Sequence, residues 1–148
     1  METLILITLI AINGVFAMSE IALVTSRKAR LLNRASEGRT SADVALRLGE
    51  NPTFFLSTIQ IGITSIGILN GIVGESVLAA PFSIWLHSFG LPETISSFLA
   101  TGTVVLLITY VSIVVGELVP KRIGQINAES IACFVARPIH VLSLLTRP

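Results

Sequence analysis

Two carboxylates, Glu20 and Glu117, stand inside long apolar runs of this chain. A charge within hydrocarbon is costly unless it faces a partner or a cavity, so each needs a reason to be there. Glu20 lies seven residues before the basic cluster that opens at Arg27, and Glu117 lies four residues before Lys121. At about 1.5 Å per helical residue, both sit roughly 6–10 Å inside the same membrane boundary. Two acids at one depth on different helices predict one cation site or two neighbouring ones.

The run Gly116-Glu117-Leu118-Val119-Pro120-Lys121 carries the most chemistry. Pro120 has no N–H and cannot bond the carbonyl four residues back, which belongs to Gly116. A freed backbone oxygen beside a carboxylate, at the broken end of a membrane helix, is a common way to hold a small cation. Ser112 lies one turn earlier on the same face. The structural alternative is a plain helix end, with proline as stop signal and Glu117 paired to Arg122.

The run 53–74 supplies a facing surface. Thr53, Ser57, Gln60, Thr64, Gly67, Gly71 and Gly74 recur at steps of three and four and so form one helical stripe. Close packing through small residues explains the glycines. Gln60 and Thr64 are better explained as hydrogen-bonding groups turned toward the bundle centre, and Asn70 stands at the stripe's edge. Hydroxyl, amide, carboxylate and carbonyl oxygens suit Mg²⁺, Ca²⁺, Mn²⁺ or Na⁺ over softer metals. The single Cys133 and the two histidines lie outside the apolar runs, which argues the same way.

The elements that must position these groups are written in the composition. Of 148 residues 52% are hydrophobic and 13% charged, about half the charged share of a soluble domain; mean hydropathy is +0.83. The apolar residues gather into runs at about 3–26, 53–74 and 94–119, each able to cross a hydrocarbon core of ~30 Å. The expected fold is an all-α integral membrane protein with three transmembrane helices. A net charge of +1, with no basic patch interleaved with aromatics, predicts no nucleic-acid partner.

All ten Lys and Arg residues fall between the first two runs or after the third. Short basic loops stay in the cytoplasm, so the N-terminus is expected outside and the C-terminus inside the plasma (inner) membrane of a multi-pass protein. Residues 27–50 read as a cytoplasmic helical hairpin broken at Gly38, with Thr40 or Ser41 capping its second helix; a merely solvated charged loop is the alternative. The stretch around Pro81, Trp85 and Gly90 reads as an interfacial segment too interrupted to cross. Residues 128–146 read as an amphipathic juxtamembrane helix, kinked at Pro138, with Arg137 and His140 among its apolar residues and Arg147 just beyond, expected to lie along the inner membrane surface rather than to cross.

Three runs together resemble the transmembrane domain of the cyclin M/CorC family of magnesium transporters. They are Phe16-Ala17-Met18-Ser19-Glu20-Ile21-Ala22-Leu23, Leu56-Ser57-Thr58-Ile59-Gln60-Ile61-Gly62-Ile63-Thr64, and the Gly116–Lys121 run. The resemblance implies a homodimer in the lipid bilayer that moves Mg²⁺, with export coupled to Na⁺ entry. Carried over residue by residue, it implies Ser19, Gly116 and Glu117 as ion ligands. Many members have Asn at the places held here by Ile63 or Gly67; the nearest amide in this chain is Asn70. Gln60 and Glu20 are further candidates, Glu20 for a coupled Na⁺. The nucleotide-binding CBS domains that usually follow in the family are absent from these 148 residues.

Divalent-cation transport is therefore the expected function. The competing class is a structural anchor whose spans only dimerise and hold a cytoplasmic regulatory domain. Enzyme chemistry has little support, because no span places a histidine where it could activate Ser19.

Overall fold

The computed structural model describes residues 1–145; Thr146 and Arg147, part of the expected tail, lie outside the described residues. The described chain is helical from end to end: α1 (Glu2–Thr25), α2 (Lys28–Ser36), α3 (Thr40–Glu50), α4 (Pro52–His87), α5 (Glu93–Ile126) and α6 (Ala128–Leu145). Helix α1 ends where Ser26 and Arg27 turn extended. Gly38, at φ +87°, closes the tight turn between α2 and α3, a backbone angle that costs glycine little. Neither Thr40 nor Ser41 caps α3: the cap position is Arg39, with no side-chain bond. The Thr40 hydroxyl instead accepts a hydrogen bond from the Arg137 guanidinium of α6.

Among the described residues four helices, not three, are long and apolar enough to cross a membrane: α1, α4, α5 and α6. The three-helix expectation is overturned at α6, the expected juxtamembrane helix. Its 18 residues rise about 27 Å, close to the thickness of a hydrocarbon core, and carry only Glu129 and Arg137 as formal charges. Pro138 lies inside the helix without ending it. With a fourth helix of spanning length, the side of the C-terminus no longer follows from counting spans.

The other two long helices outrun their apolar stretches, because each absorbs a proline. Helix α4 continues through the expected loop over 36 residues, and α5 over 34, where about 20 suffice. Ahead of Pro81, residues Glu75–Ala79 form a π-helical turn in which the Ala80 N–H reaches back to Glu75 O. Ahead of Pro120, Val114–Leu118 does the same, with the Val119 N–H bonding Val114 O. A π turn widens the helix by one residue and so makes room for the proline ring. Beyond Pro81, Trp85 stacks on Phe82 at 5.6 Å and meets Phe89 edge-on at 4.7 Å. Gly90, at φ +88°, then turns the chain into α5.

The main core lies at the hairpin end, where Leu23, Leu31, Ala45, Leu48, Phe55, Ile59, Ala136 and Ile139 bury one another. Polar pairs tie the same region together: Arg30 lies 3.6 Å from Glu129, and Arg34 donates to the Ser130 hydroxyl at 3.2 Å. At the far end a smaller cluster of Ala79, Val104 and Ile108 joins α4 to α5. Between these clusters the helices enclose polar groups.

Candidate functional site

Helices α1 and α5 approach through glycine. A Cβ on Gly14 would lie 2.9 Å from Pro120 Cγ, and one on Gly124 would lie 2.5 Å from Ile21 Cγ2 and 2.8 Å from the Met18 carbonyl. A Cβ on Gly116 would press on Asn13 Nδ2 at 3.2 Å. This closeness puts the Asn13 amide against the π turn. Asn13 Nδ2 donates to Gly116 O at 3.1 Å in a buried setting, so the carbonyl that Pro120 cannot bond is held by a side chain from another helix.

Satisfying that carbonyl uses one end of the Asn13 amide and leaves the other unpaired. Asn13 Oδ1 is buried with no hydrogen-bond partner among the described residues, and so are Asn70 Oδ1 and Ser112 Oγ. Buried polar atoms are rarely left this way, since each costs about 1–3 kcal/mol. Asn13, Asn70 and Ser112, together with Thr109 and Glu117, line one cavity of about 240 Å³ between α1, α4 and α5. Gly67 and Gly71 also border it, with nothing within 4 Å of an added Cβ. Of the second-helix glycines singled out for close packing, only Gly74 is used that way, against Ile108.

The Glu117 carboxylate brings charge to this cavity. Its Oε1 accepts from Lys121 Nζ at 2.8 Å, and the same ammonium lies 3.4 Å from Glu20 Oε2. The partner of Glu117 is thus Lys121 and not Arg122: residues four apart share a helix face, whereas residues five apart diverge. The cavity offers amide, hydroxyl and carboxylate oxygens and no sulfur or imidazole, a donor set for hard cations.

The remaining candidates lie apart from this cavity lining. Ser19 is fully buried on α1, its hydroxyl donating to Val15 O at 2.6 Å. Gln60 and Glu20 border a separate open groove of about 640 Å³ with Ser57 and Thr64. Asn13 was not singled out in the sequence, although an amide in the middle of an apolar run is the signal that marks it. Thr109 was missed as well, one helical turn before Ser112.

Residues 4–148 match the cyclin M transmembrane N-terminal domain. The chain belongs to that family. A UPF0053 protein of Synechocystis is 44% identical over 148 residues, covering 100% of this chain and 33% of its own length. The polyamine export protein of Escherichia coli K12 is 35% identical over 145 residues, covering 98% of this chain and 32% of its own. The UPF0053 protein YhdT of Bacillus subtilis is 34% identical over 148 residues, with 99% and 32% covered. This chain therefore spans about a third of the length of these relatives. Family membership and the apolar helices together make it a multi-pass membrane protein.

Proposed function

We propose that this chain forms the cation-conducting part of a membrane transporter, with Mg²⁺ as its cargo. The observation that carries the reading is the convergence of Asn13 Oδ1, Asn70 Oδ1 and Ser112 Oγ, three buried oxygens with no protein partner, on the cavity that Glu117 borders. Mg²⁺ takes oxygen ligands and keeps several of its waters. A cavity of about 240 Å³ has room for the ion with a few waters, at ~30 Å³ each. Glu117 supplies charge, the amides and the hydroxyl replace lost water, and the Gly116 carbonyl positions Asn13. Ser19, buried on the same helix as Asn13 but apart from this cavity, is a further candidate ligand, and Na⁺ entry at the Glu20 groove drives the exchange.

The basic hairpin α2–α3 faces the cytoplasm, where Lys and Arg are retained, and the plasma membrane is the host bilayer. Two copies form the working unit.

A second reading has its own support. A relative 35% identical to this chain is named a polyamine export protein, and here Glu20 and Glu117 already share one primary ammonium, that of Lys121. The same pair of acids could accept an alkylammonium cargo. A membrane anchor with no cargo is the third.

Melting the purified chain in detergent with added Mg²⁺ separates them. A ligand that binds only the folded state stabilises it by about 2.7 kcal/mol at a hundred times Kd, and the melting temperature rises with concentration accordingly. Mg²⁺ is expected to stabilise the native chain and not Glu117→Gln. Stabilisation by spermidine alone favours the polyamine reading, and none by either cation favours the anchor.

A further inference from the structure

Lys121 is an unusual neighbour for a cargo-binding carboxylate. It carries a positive charge, its ammonium lies 2.8 Å from Glu117 Oε1, and its second partner Glu20 is 3.4 Å away. The arrangement is only partly buried, with roughly a third of each side chain exposed (31% for Lys121, 29% for Glu20, 38% for Glu117). Like charges a few ångströms apart repel strongly where water is scarce, so an ammonium at this place opposes any cation bound at Glu117.

We infer that Lys121 is a tethered counter-ion that competes with the cargo for Glu117 and moves onto Glu20 when the cargo binds. The inference rests on the cation site proposed above and concerns how that site is loaded and unloaded. The chemistry requires nothing beyond a side-chain swing. When no cargo is held, Lys121 partly compensates two acids that would otherwise stand without a counter-charge within the membrane, which is costly. When a cation reaches Glu117, the ammonium keeps Glu20 as its partner, so neither the lysine nor the acid is stranded. Lys121 returns to Glu117 as the cargo leaves, and the return aids release. The device explains why two acids serve one lysine: Glu117 takes the cargo and Glu20 holds the displaced ammonium. It also keeps cargo affinity modest, as a protein that must let go of its ion requires.

Two measurements test this, one on the native chain. The chain has two lysines, Lys28 on the exposed hairpin and Lys121, so acylation by a soluble amine reagent, read by mass spectrometry, has an internal reference. Mg²⁺ should raise the modification of Lys121 severalfold and leave Lys28 unchanged. In melting titrations, Lys121→Met should reach half-maximal stabilisation at a Mg²⁺ concentration lower by about tenfold or more, since a nearby positive charge is gone. Lys121→Arg should stay close to native. A static salt bridge predicts the reverse: flat Lys121 acylation, and Lys121→Met needing as much Mg²⁺ as the native chain or more. That result, with the native chain still responding to Mg²⁺, overturns this inference alone. If neither chain responds to Mg²⁺, the cation site itself fails and this goes with it. If Lys121→Met does not fold, acylation of the native chain decides.

Discussion

Among the described residues Asn13 donates to Gly116 O and leaves its own oxygen without a partner. A residue that served only to cap the freed carbonyl would be expected to find a donor for that oxygen as well, because an orphaned amide oxygen works against stability. Asn13→Leu separates the two roles. It removes the donor to Gly116 and the orphaned oxygen together, so the two effects on stability oppose each other and the net change should stay under about 2 kcal/mol. Mg²⁺-dependent stabilisation should nevertheless disappear, which a melting curve with and without the ion reads directly. A variant that melts much earlier yet keeps its Mg²⁺ response would make Asn13 a structural clamp and no ligand. The residue scale is also where the sequence hid most. Glu20 and Glu117 stood out as charges in apolar runs, whereas Asn13, a single neutral amide in the same kind of run, was outweighed by them. Pairing Glu117 with Arg122 overlooked the four-residue spacing to Lys121, which is the one that shares a helix face.

Helix packing is decided by three glycines on α1 and α5 more than by the stripe on α4. At Gly124 an added methyl meets the Met18 carbonyl at 2.8 Å as well as Ile21, and a backbone oxygen cannot swing aside as a side chain can. Gly124→Ala should therefore cost about 1–3 kcal/mol. Gly102 on α5 has nothing within 4 Å of an added Cβ, so Gly102→Ala should be neutral or stabilise by up to about 1 kcal/mol through helix propensity. Parallel melting curves check both; equal effects would mean that α1 and α5 do not approach as described. The helical character of the three apolar runs, of the hairpin and of the tail was readable, as was the turn at Gly38, because apolar periodicity and a glycine breaker are local signals. Continuation through Pro81 and Pro120 was not, since proline is ordinarily a stop and a π turn leaves no mark in composition. The spanning length of α6 was obscured by Arg137, Pro138 and His140, which were weighed as interfacial features ahead of the length of the run itself.

Across the whole molecule, the ends of the helices differ in charge. The Arg and Lys residues of the hairpin, with Lys121 and Arg122, gather near one end, and the segment around Trp85 carries none. That asymmetry supports a cytoplasmic hairpin. In a Cys133→Ser background, Ser36→Cys should react with an impermeant thiol reagent only after cells are permeabilised. Labelling of intact cells would invert the orientation.

Passage of cations by way of Glu117, as proposed, is read out by flux through vesicles reconstituted with the chain. With Mg²⁺ inside and Na⁺ outside, the native chain should release Mg²⁺ and Glu117→Gln should be reduced to the rate of protein-free vesicles. Equal release from both chains would rule out passage by way of Glu117, and no Mg²⁺ release from the native chain under a gradient that moves spermidine would rule out Mg²⁺ as the cargo.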